Sequence, residues 1–503
     1  MRLAWFPTIR PCVPAAHSPR ATAARPRLLL LLPRPSPRRT LLTLAIESSC
    51  DDTCVAVLQK PSPTSRSSDA ARLLFHEKVT SDNRHFRGVH PLTAVVSHTA
   101  HLGPLVQAAL RALPEAPAVP IGGYETWKRL LWVDGAVRLK PDFVTVTRGP
   151  GMTSNLATGL NTAKGLAAAW DVPLLGVNHM QAHALTPRLV AALARGGALE
   201  DARWRPEHGL ATVAKRRMAA AVGGSGDVDH QDPQFPFLSL LVSGGHTLLV
   251  HSRSLTDHRI LAEAKNIAIG DMLDKCARVI IPASQIAGVD NVMYGPLLEK
   301  FAFPDDAGQD YPAAYGYTAP PRRVDEIQVF DSGRGWTLTP PLSGTSALAY
   351  DFAGFNSQVQ RVVEDRPDMG LEERRFLAQH AMRLAFEHLA SRLLFVLRAE
   401  GGAAYEAVRT VVVAGGVASN RYLMHILRSM LAARGFGHLQ INAPPPALCT
   451  DNAAMIAWTG MEMYEAGWRS KMDVLAMRKW PVDPRAEGGG IFGAEGWVNV
   501  KKM

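Results

Sequence analysis

The sequence predicts an α/β protein in which helices lie on both sides of mixed sheets. Short runs rich in β-branched residues and bounded by Gly, Asp or Ser alternate with Ala- and Leu-rich stretches whose apolar residues recur with a helical period. This alternation is typical of sheets covered by helices. With 47% hydrophobic and 20% charged residues among 503, the chain can bury a substantial core, and disordered and collagen-like classes are excluded.

Seven strand-like runs are present, and several of them end at polar turns. They are residues 41–46, 53–58, 142–147, 173–178, 238–243, 247–252 and 408–414. Helical periodicity is clearest in residues 155–169, 372–399 and 452–466. Four stretches dense in Gly, Pro or polar residues, 113–140, 199–234, 282–293 and 304–345, are interpreted as surface insertions without an assigned role.

The net charge of +10 is unevenly distributed along the chain. Residues 1–40 hold eight arginines and no acidic residue, so the other 463 residues carry 47 basic against 45 acidic side chains. The net charge is therefore weak evidence that residues 41–503 bind a nucleic acid. Three short basic clusters in this part of the chain are either candidate contacts for a nucleic acid or ordinary solvated surface. They are Lys215 to Arg217, Arg322 with Arg323, and Arg478 with Lys479.

The basic N-terminal segment has the composition of a mitochondrial transit peptide. It is rich in Arg, Ala, Pro and Ser, and its one apolar run ends after five leucines at Pro33, too short for a secretory signal or a membrane span. A basic arm that stays attached is the alternative. Five cysteines, an odd number in a long chain, favour a reducing compartment over a disulfide framework.

Three polar turns follow strand-like runs. Gly244 and Gly245 come after one such run, Gly415 and Gly416 after another, and IESSCDDT (46–53) joins two more. Paired glycines allow close backbone approach, so that consecutive N–H groups can point at a phosphate. One such turn alone would be an ordinary turn, but three in one chain favour a phosphate site.

The segment HMQAH places His179 and His183 four residues apart after a predicted strand. On a helix the two side chains share one face about 5 to 6 Å apart, close enough to bind one metal ion. A zinc protease would need Glu directly after the first His, where this chain has Met180, so that mechanism is disfavoured. The candidate third ligand is Asp451, in a polar loop before a helix; two helix histidines satisfied by neighbours are the alternative.

Eight segments, taken in order, resemble the family of tRNA N6-adenosine threonylcarbamoyltransferases, specifically its mitochondrial branch. They are IESSCDDT, TRGPGMTSNLATGLNTAKGLA, GVNHMQAHAL, FPFLSLLVSGGHT, GDMLDK, DFAGFNS, VVVAGGVASNRYL and CTDNAAMIA. The resemblance spans about residues 41–480, interrupted by the insertions.

The resemblance implies a two-lobed fold like that of actin, Hsp70 and sugar kinases, closing on a nucleotide. Lobe one would comprise residues 41–178 and 452–480, lobe two residues 179–451 with insertions near 199–234, 282–293 and 304–345, and residues 481–503 a C-terminal tail. The implied reaction moves a threonylcarbamoyl group from threonylcarbamoyl-AMP, made by a separate synthase, to N6 of adenosine 37 in mitochondrial tRNAs that read codons beginning with A. The resemblance also implies a homodimer, and the N-terminal composition adds the mitochondrial matrix as its location. Two imidazoles and a carboxylate suit one iron or zinc ion per subunit, and the lack of a long apolar stretch predicts no membrane association.

When the motifs of the family are matched to this sequence residue by residue, the resemblance implies three groups of site residues. The metal ligands would be His179, His183 and Asp451. The residues that contact the donor nucleotide would be Leu241, Val242, Ser243, Gly244, Gly245, Asp274, Gly295, Glu299, Ser419 and Asn420. Asp51 or Asp52 could accept the amine proton or could order their turn, and the sequence does not choose between them.

Two departures from the family pattern affect this assignment. The family often has Pro-Gly-Gly-Pro where this chain has Met-Tyr-Gly-Pro, so that Tyr294 replaces a glycine before Gly295. Leu92 stands where the family usually has Glu, which puts any contact made by that glutamate in doubt. A nucleotide-binding assembly module without chemistry and a sugar-kinase-like ATPase remain alternatives, the first needing the turns but not the histidines.

Overall fold

The computed structural model describes residues 40–61, 70–86, 88–116, 127–196, 232–286, 294–304, 315–399 and 405–502. Several predicted features lie outside these residues: the transit peptide except for Thr40, nearly all of the 199–234 insertion, parts of the other three insertions (117–126, 287–293 and 305–314), and the basic cluster from Lys215 to Arg217. Among the helices within them, none is long and apolar enough to cross a membrane.

The strands of the described residues account for all seven predicted runs. They are β1 (Thr40–Glu47), β2 (Asp52–Pro61), β3 (Arg72–Thr80), β4 (Leu130–Val133), β5 (Ala136–Leu139), β6 (Phe143–Gly149), β7 (Leu174–Asn178), β8 (Phe237–Val242), β9 (Thr247–Ser252), β10 (His258–Glu263), β11 (Phe330–Asp331), β12 (Thr337–Leu338), β13 (Thr410–Ala414), β14 (Gln440–Asn442), β15 (Trp468–Ser470) and β16 (Trp497–Asn499).

The helices of the described residues include the three predicted from periodicity. They are α1 (Pro91–Arg111), α2 (Thr153–Trp170), α3 (His179–Arg195), α4 (Ile269–Ile280), α5 (Ala283–Ile286), α6 (Gly295–Ala302), α7 (Arg323–Glu326), α8 (Ala353–Glu364), α9 (Leu371–Arg398), α10 (Arg421–Ala433), α11 (Pro446–Cys449) and α12 (Ala453–Glu465).

Two large sheets repeat one topology. The first has the order β16-β15-β7-β6-β1-β2-β3 and the second β10-β9-β8-β13-β14. In each, an antiparallel meander (β1-β2-β3 or β8-β9-β10) is followed by two strands parallel to its first strand (β6 and β7, or β13 and β14). This repeat gives the predicted two-lobed α/β fold with mixed sheets.

Strand alternation divides the core into three layers, because successive side chains point to opposite faces of a sheet. In β1, Leu42 and Leu44 pack under α1 and α2, whereas Leu41 and Ala45 face α3 and α12. The second sheet divides in the same way between a layer under α4, α9 and α10 and the layer shared with α3 and α12. Helices α3 and α12 are therefore enclosed between the two sheets, and α3 is buried over almost its whole length.

Some stretches expected to be insertions or tail contribute to the fold. Residues 130–139 form the β4-β5 hairpin, and Trp336 and Leu338, in the stretch 304–345, are buried in the core of the second sheet. The expectation of a pure surface elaboration is wrong for Trp336 and Leu338, because a short hairpin can insert apolar side chains into the core even where Gly and Pro are frequent. Within the expected tail 481–503, β16 pairs with β15 at the edge of the first sheet. The lobe boundaries themselves stay a prediction.

Candidate metal and nucleotide site

The polar turns predicted to carry chemistry follow the carboxyl ends of β1, β7, β8 and β13. Parallel strands end at the same edge of a sheet, and ligands of open α/β sheets bind outside that edge. The site residues are therefore gathered by strand direction, although they are spread over 400 residues of chain.

Helix α3 begins directly after β7 and presents the two histidines in its first turns. Asn178 caps the helix, since its side-chain oxygen accepts the N–H groups of Met180 and Gln181 at 2.9 and 3.1 Å. The imidazoles of His179 and His183 stand edge to face, with their Nε2 atoms 3.2 Å apart. Both side chains are buried.

Asp451 reaches the histidines from the loop between α11 and α12. Its Oδ1 lies 3.1 Å from Nε2 of His183 and 3.4 Å from Nε2 of His179. The next residue, Asn452, caps α12 by accepting the N–H of Met455 at 2.9 Å, which fixes the loop. The structure thus brings together all three predicted metal ligands.

The spacing of these three atoms fits a bound metal ion. Ligands at about 2.1 Å from a metal are about 3.0 Å apart at right angles and about 3.4 Å apart at tetrahedral angles. The three separations of 3.1, 3.2 and 3.4 Å fall in that range. Two imidazoles and a carboxylate suit iron or zinc.

A buried carboxylate that the sequence reasoning missed orients His179. Glu47, at the end of β1, is fully buried, and its Oε2 lies 3.1 Å from Nδ1 of His179. The same carboxylate accepts the N–H of Ser49 at 2.6 Å and the hydroxyl of Thr147. A carboxylate on the outer nitrogen of a ligating histidine holds the ring and leaves the inner nitrogen free to bind metal. The signal was available, since Glu47 opens the polar turn after β1.

Charge in this cluster favours a cationic centre. Burial lowers the pKa of His179, but Asp451 and Glu47 outweigh it and raise that pKa to about 10. Burial likewise raises the pKa of Asp451, yet His179 and His183 hold it well below its usual range. An arrangement that stabilises a protonated imidazole this strongly also favours a metal cation in place of the proton.

The predicted phosphate turn, from Leu241 to Gly245, follows β8. Ser243 orders it, because its hydroxyl accepts the N–H of Gly245 at 3.3 Å and of His246 at 3.0 Å. Both Gly244 and Gly245 are exposed, and no described protein atom lies within 4 Å of a Cβ built on either. Packing within the protein therefore does not require glycine at these two positions. A ligand that approaches the backbone closely would require it, because a side chain would then be in the way.

The second glycine turn joins this one to the metal ligands. Gly415 has φ +99°, and a Cβ there would lie 2.3 Å from the carbonyl oxygen of Val242. Only glycine fits where the ends of β8 and β13 approach this closely. A Cβ on Gly416 would lie 3.7 Å from Thr450, the residue before Asp451. The two glycine turns and the Asp451 loop are thus neighbours.

The residues expected on the nucleotide side gather where α4, α6 and α10 meet. Asp274 accepts the N–H of Gly295 at 2.7 Å, and burial raises the pKa of this carboxyl to about 6. Glu299 accepts the N–H groups of Arg421 and Tyr422 at 2.8 and 3.0 Å, so it caps α10. Ser419 is exposed, while Asn420 is buried and caps α10 through Leu423.

The two acidic residues after β1 have different surroundings. Asp52 is buried and uses both oxygens, one for Lys78 at 3.0 Å and one for Thr80 at 2.5 Å. Lys78 also donates to Thr450 at 3.1 Å, which connects this turn to the Asp451 loop. Burial raises the pKa of Asp51, whose side chain is partly exposed and has the Cys50 thiol as a neighbour.

Comparison with known proteins identifies the family. The model of the family described as "TsaD: tRNA N6-adenosine threonylcarbamoyltransferase" matches residues 135–202 and 218–458. The chain belongs to the tRNA N6-adenosine threonylcarbamoyltransferase family. This is a family of transferases that act on tRNA, and the His179, His183 and Asp451 group is a candidate for the metal on which the family depends.

Three relatives carry the same family name over most of their length. The chain is 31% identical over 473 residues to "tRNA N6-adenosine threonylcarbamoyltransferase, mitochondrial" of Schizosaccharomyces pombe, covering 92% of this chain and 90% of the relative. It is 29% identical to the enzyme so named in Novosphingobium aromaticivorans, over 90% and 99% of the two chains. It is 31% identical to that of Cereibacter sphaeroides, over 91% and 99%.

The two departures from the family pattern occupy different places. Tyr294 stands directly before α6, and the guanidinium of Arg278 lies 5.4 Å from the centre of its ring. Leu92 lies in the first turn of α1 and is 69% exposed. Tyr294 thus adjoins the predicted nucleotide contact Gly295, whereas Leu92 is on the outer helix layer of the first sheet.

Proposed function

We propose that this member of the transferase family forms N6-threonylcarbamoyladenosine at position 37 of mitochondrial tRNAs that read codons beginning with A. The donor is threonylcarbamoyl-AMP, made by a separate synthase, and AMP is released. The observation that carries the proposal is that the buried His179 and His183 and the half-buried Asp451 lie beside two glycine turns. A metal ion beside a phosphate-binding turn suits a donor that joins a carbonyl to a phosphate.

Each group has a role in the proposed transfer. The bound metal, iron or zinc, would act as a Lewis acid toward the carbamoyl carbonyl. The backbone around Gly244 and Gly245, in the turn Leu241 to Gly245, holds the phosphate by N–H groups and so orients the carbonyl for attack. The adenosine part of the donor would lie against the residues where α4, α6 and α10 meet. They are Asp274, Gly295, Glu299, Ser419 and Asn420.

The proton of the attacking amine needs an acceptor. In the proposed step the N6 nitrogen of adenosine bonds to the carbamoyl carbon, the bond from that carbon to the phosphate oxygen breaks, and AMP leaves as an anion. We assign the proton to Asp51, because both oxygens of Asp52 already accept hydrogen bonds from Lys78 and Thr80.

We propose a homodimer in the mitochondrial matrix. The mitochondrial relative and the acid-free N-terminal segment support the location. The exposed apolar side chains Leu92 and Val96, one turn apart on α1, support a protein contact on that face, since they are 69% and 67% exposed. Sedimentation of the chain with Leu92→Glu and Val96→Glu tests this: a shift from dimer to monomer is expected, and an unchanged dimer would contradict it.

The transfer is tested by incubating the metal-loaded chain with threonylcarbamoyl-AMP and an unmodified tRNA transcript, followed by digestion to nucleosides and mass spectrometry. Threonylcarbamoyladenosine at position 37 is expected, and unmodified adenosine in the presence of metal would refute the proposal. An assembly module would bind nucleotide without modifying tRNA. A sugar-kinase-like ATPase would consume ATP only when a sugar is present.

A further inference from the structure

A segment of the C-terminal region crosses the edge of the first sheet at which the site lies. The N–H of Met477 donates to the carbonyl of Arg148 at 2.8 Å, and the N–H of Gly151 donates to the carbonyl of Arg478 at 3.3 Å. The side chain of Asn178 donates to the carbonyl of Trp480 at 3.0 Å. The segment 477–480 thus adjoins the residue that precedes the candidate ligand His179.

This segment is held rigidly against the sheet. The guanidinium of Arg148 lies 5.5 Å from the centre of the buried Trp480 ring and donates to the carbonyls of Leu475 and Glu495 at 2.9 and 2.6 Å. Gly149 allows the close approach, because a Cβ there would lie 2.2 Å from the carbonyl oxygen of Met477. Side chains on this segment therefore project from a fixed backbone, which lowers the entropy cost of binding through them.

Two of these side chains are exposed cations. Arg478 and Lys479 are both exposed, and the ion pairs found among the described residues include neither of them. The other described basic cluster differs: Arg322 pairs with Asp325 at 2.9 Å, and Arg323 pairs with Glu326 and supports the fold. Of the three basic clusters considered as candidate nucleic-acid contacts, two lie in the described part of the chain, and only the one beside the site takes no part in the ion pairs found there.

We propose that Arg478 and Lys479 bind backbone phosphates of the tRNA next to the nucleotide being modified. The inference rests on the proposed function and names the surface through which the site holds its polynucleotide substrate. Outside residues 1–40 the chain is nearly neutral, so its affinity for a polyanion depends on such local clusters. Arginine binds phosphate through a planar fork of N–H donors, and lysine binds it through a compact positive charge. Arg478 and Lys479 can therefore each bind one of two adjacent phosphates.

The test compares the full-length chain with the double variant Arg478→Ala and Lys479→Ala. Binding of an unmodified tRNA transcript is measured over a range of salt concentrations. Loss of two phosphate contacts reduces the slope of log affinity against log salt by about 1.4 to 1.8 and weakens binding about tenfold at 0.15 M salt. In the transfer assay the KM for tRNA rises by about the same factor, while kcat changes less than twofold.

The matched control removes two exposed arginines elsewhere, Arg322→Ala with Arg361→Ala, and is expected to keep the salt slope within the error of the measurement. Metal content and the unfolding midpoint check that the double variant is intact. An unchanged slope and KM in the Arg478 and Lys479 variant overturn the docking surface and leave the transfer reaction standing. Absence of modified adenosine with the unaltered chain overturns the proposed function, whatever the binding slopes are.

Discussion

Replacing Glu47 by Gln should weaken metal binding while preserving the shape of the site. The carboxylate accepts hydrogen bonds from the N–H of Ser49, the hydroxyl of Thr147 and Nδ1 of His179. A glutamine has one oxygen instead of two. The N–H of Ser49 can only donate, so the glutamine oxygen stays with it, and the amide N–H group then faces Thr147 and His179 and donates to them.

The consequence follows from the tautomer of His179. An imidazole that accepts a hydrogen bond at Nδ1 carries its proton at Nε2, which is the atom 3.4 Å from Asp451. That nitrogen can bind a metal only after the tautomer is reversed and the contact with residue 47 is lost. Loss of such an outer partner lowers metal affinity about 10- to 100-fold, or about 1.4 to 2.7 kcal/mol.

The assay is competition for the metal against a chromophoric chelator at fixed pH, with the unfolding midpoint measured on the same samples. Glu326→Gln is the matched control, because Glu326 is also a buried carboxylate but pairs with Arg434 at 2.9 Å, among the helices of the second sheet. It should lower stability without changing metal affinity. A folded Glu47→Gln chain with undiminished affinity would refute the reasoning.

Three further predictions concern acid groups and the N-terminal segment. Asp51→Asn should lower kcat about 100-fold, because it removes the proton acceptor. Asp52→Asn should chiefly lower the unfolding midpoint, because it breaks the contacts with Lys78 and Thr80; transfer rates and melting curves distinguish the two variants. Burial raises the pKa of Glu387 to about 7, above its ordinary value of 4.5, so the folded state binds this proton more tightly and wild-type stability falls as pH rises from about 4.5 to 7. The wild-type chain should lose up to about 3 kcal/mol of its free energy of unfolding over this pH range, whereas the Glu387→Gln chain should not, as denaturant titrations at several pH values can show. The same dependence of unfolding free energy on pH in both chains would contradict the prediction. Removing residues 1–39 should reduce the salt slope of tRNA binding, since eight arginines are lost, and equal slopes would be inconsistent with this division of charge.

The sequence predicts those parts of the fold in which apolar patterning is strong. All seven predicted strand runs lie in the two large sheets, since buried strands need apolar, β-branched residues. Strand β3 was missed because it is half-exposed and contains Arg72, His76, Glu77 and Lys78 among its apolar residues. The role of Trp336 and Leu338 in the core depends on tertiary packing that local composition does not express.

At the site, sequence spacing predicts only what a single element arranges. His179 and His183 are recognisable because one helix sets their separation, but Glu47 lies 132 residues before His179 and meets it only through the parallel pairing of β1, β6 and β7. Asp451 was a candidate because it lies in a polar loop before a predicted helix, and the family resemblance agreed; the structure adds a physical reason in the caps of α3 and α12. The difference between Asp51 and Asp52 depends on β3, which the sequence pattern did not predict.

The central claim is that His179, His183 and Asp451 hold a metal ion that transfer to tRNA requires. The most direct measurement is the yield of threonylcarbamoyladenosine at position 37 as a function of metal occupancy, in the wild-type chain and in His183→Ala. Product is expected to rise in proportion to bound metal and to be absent from the soluble, folded His183→Ala chain. Full transfer by a metal-free chain would contradict the claim.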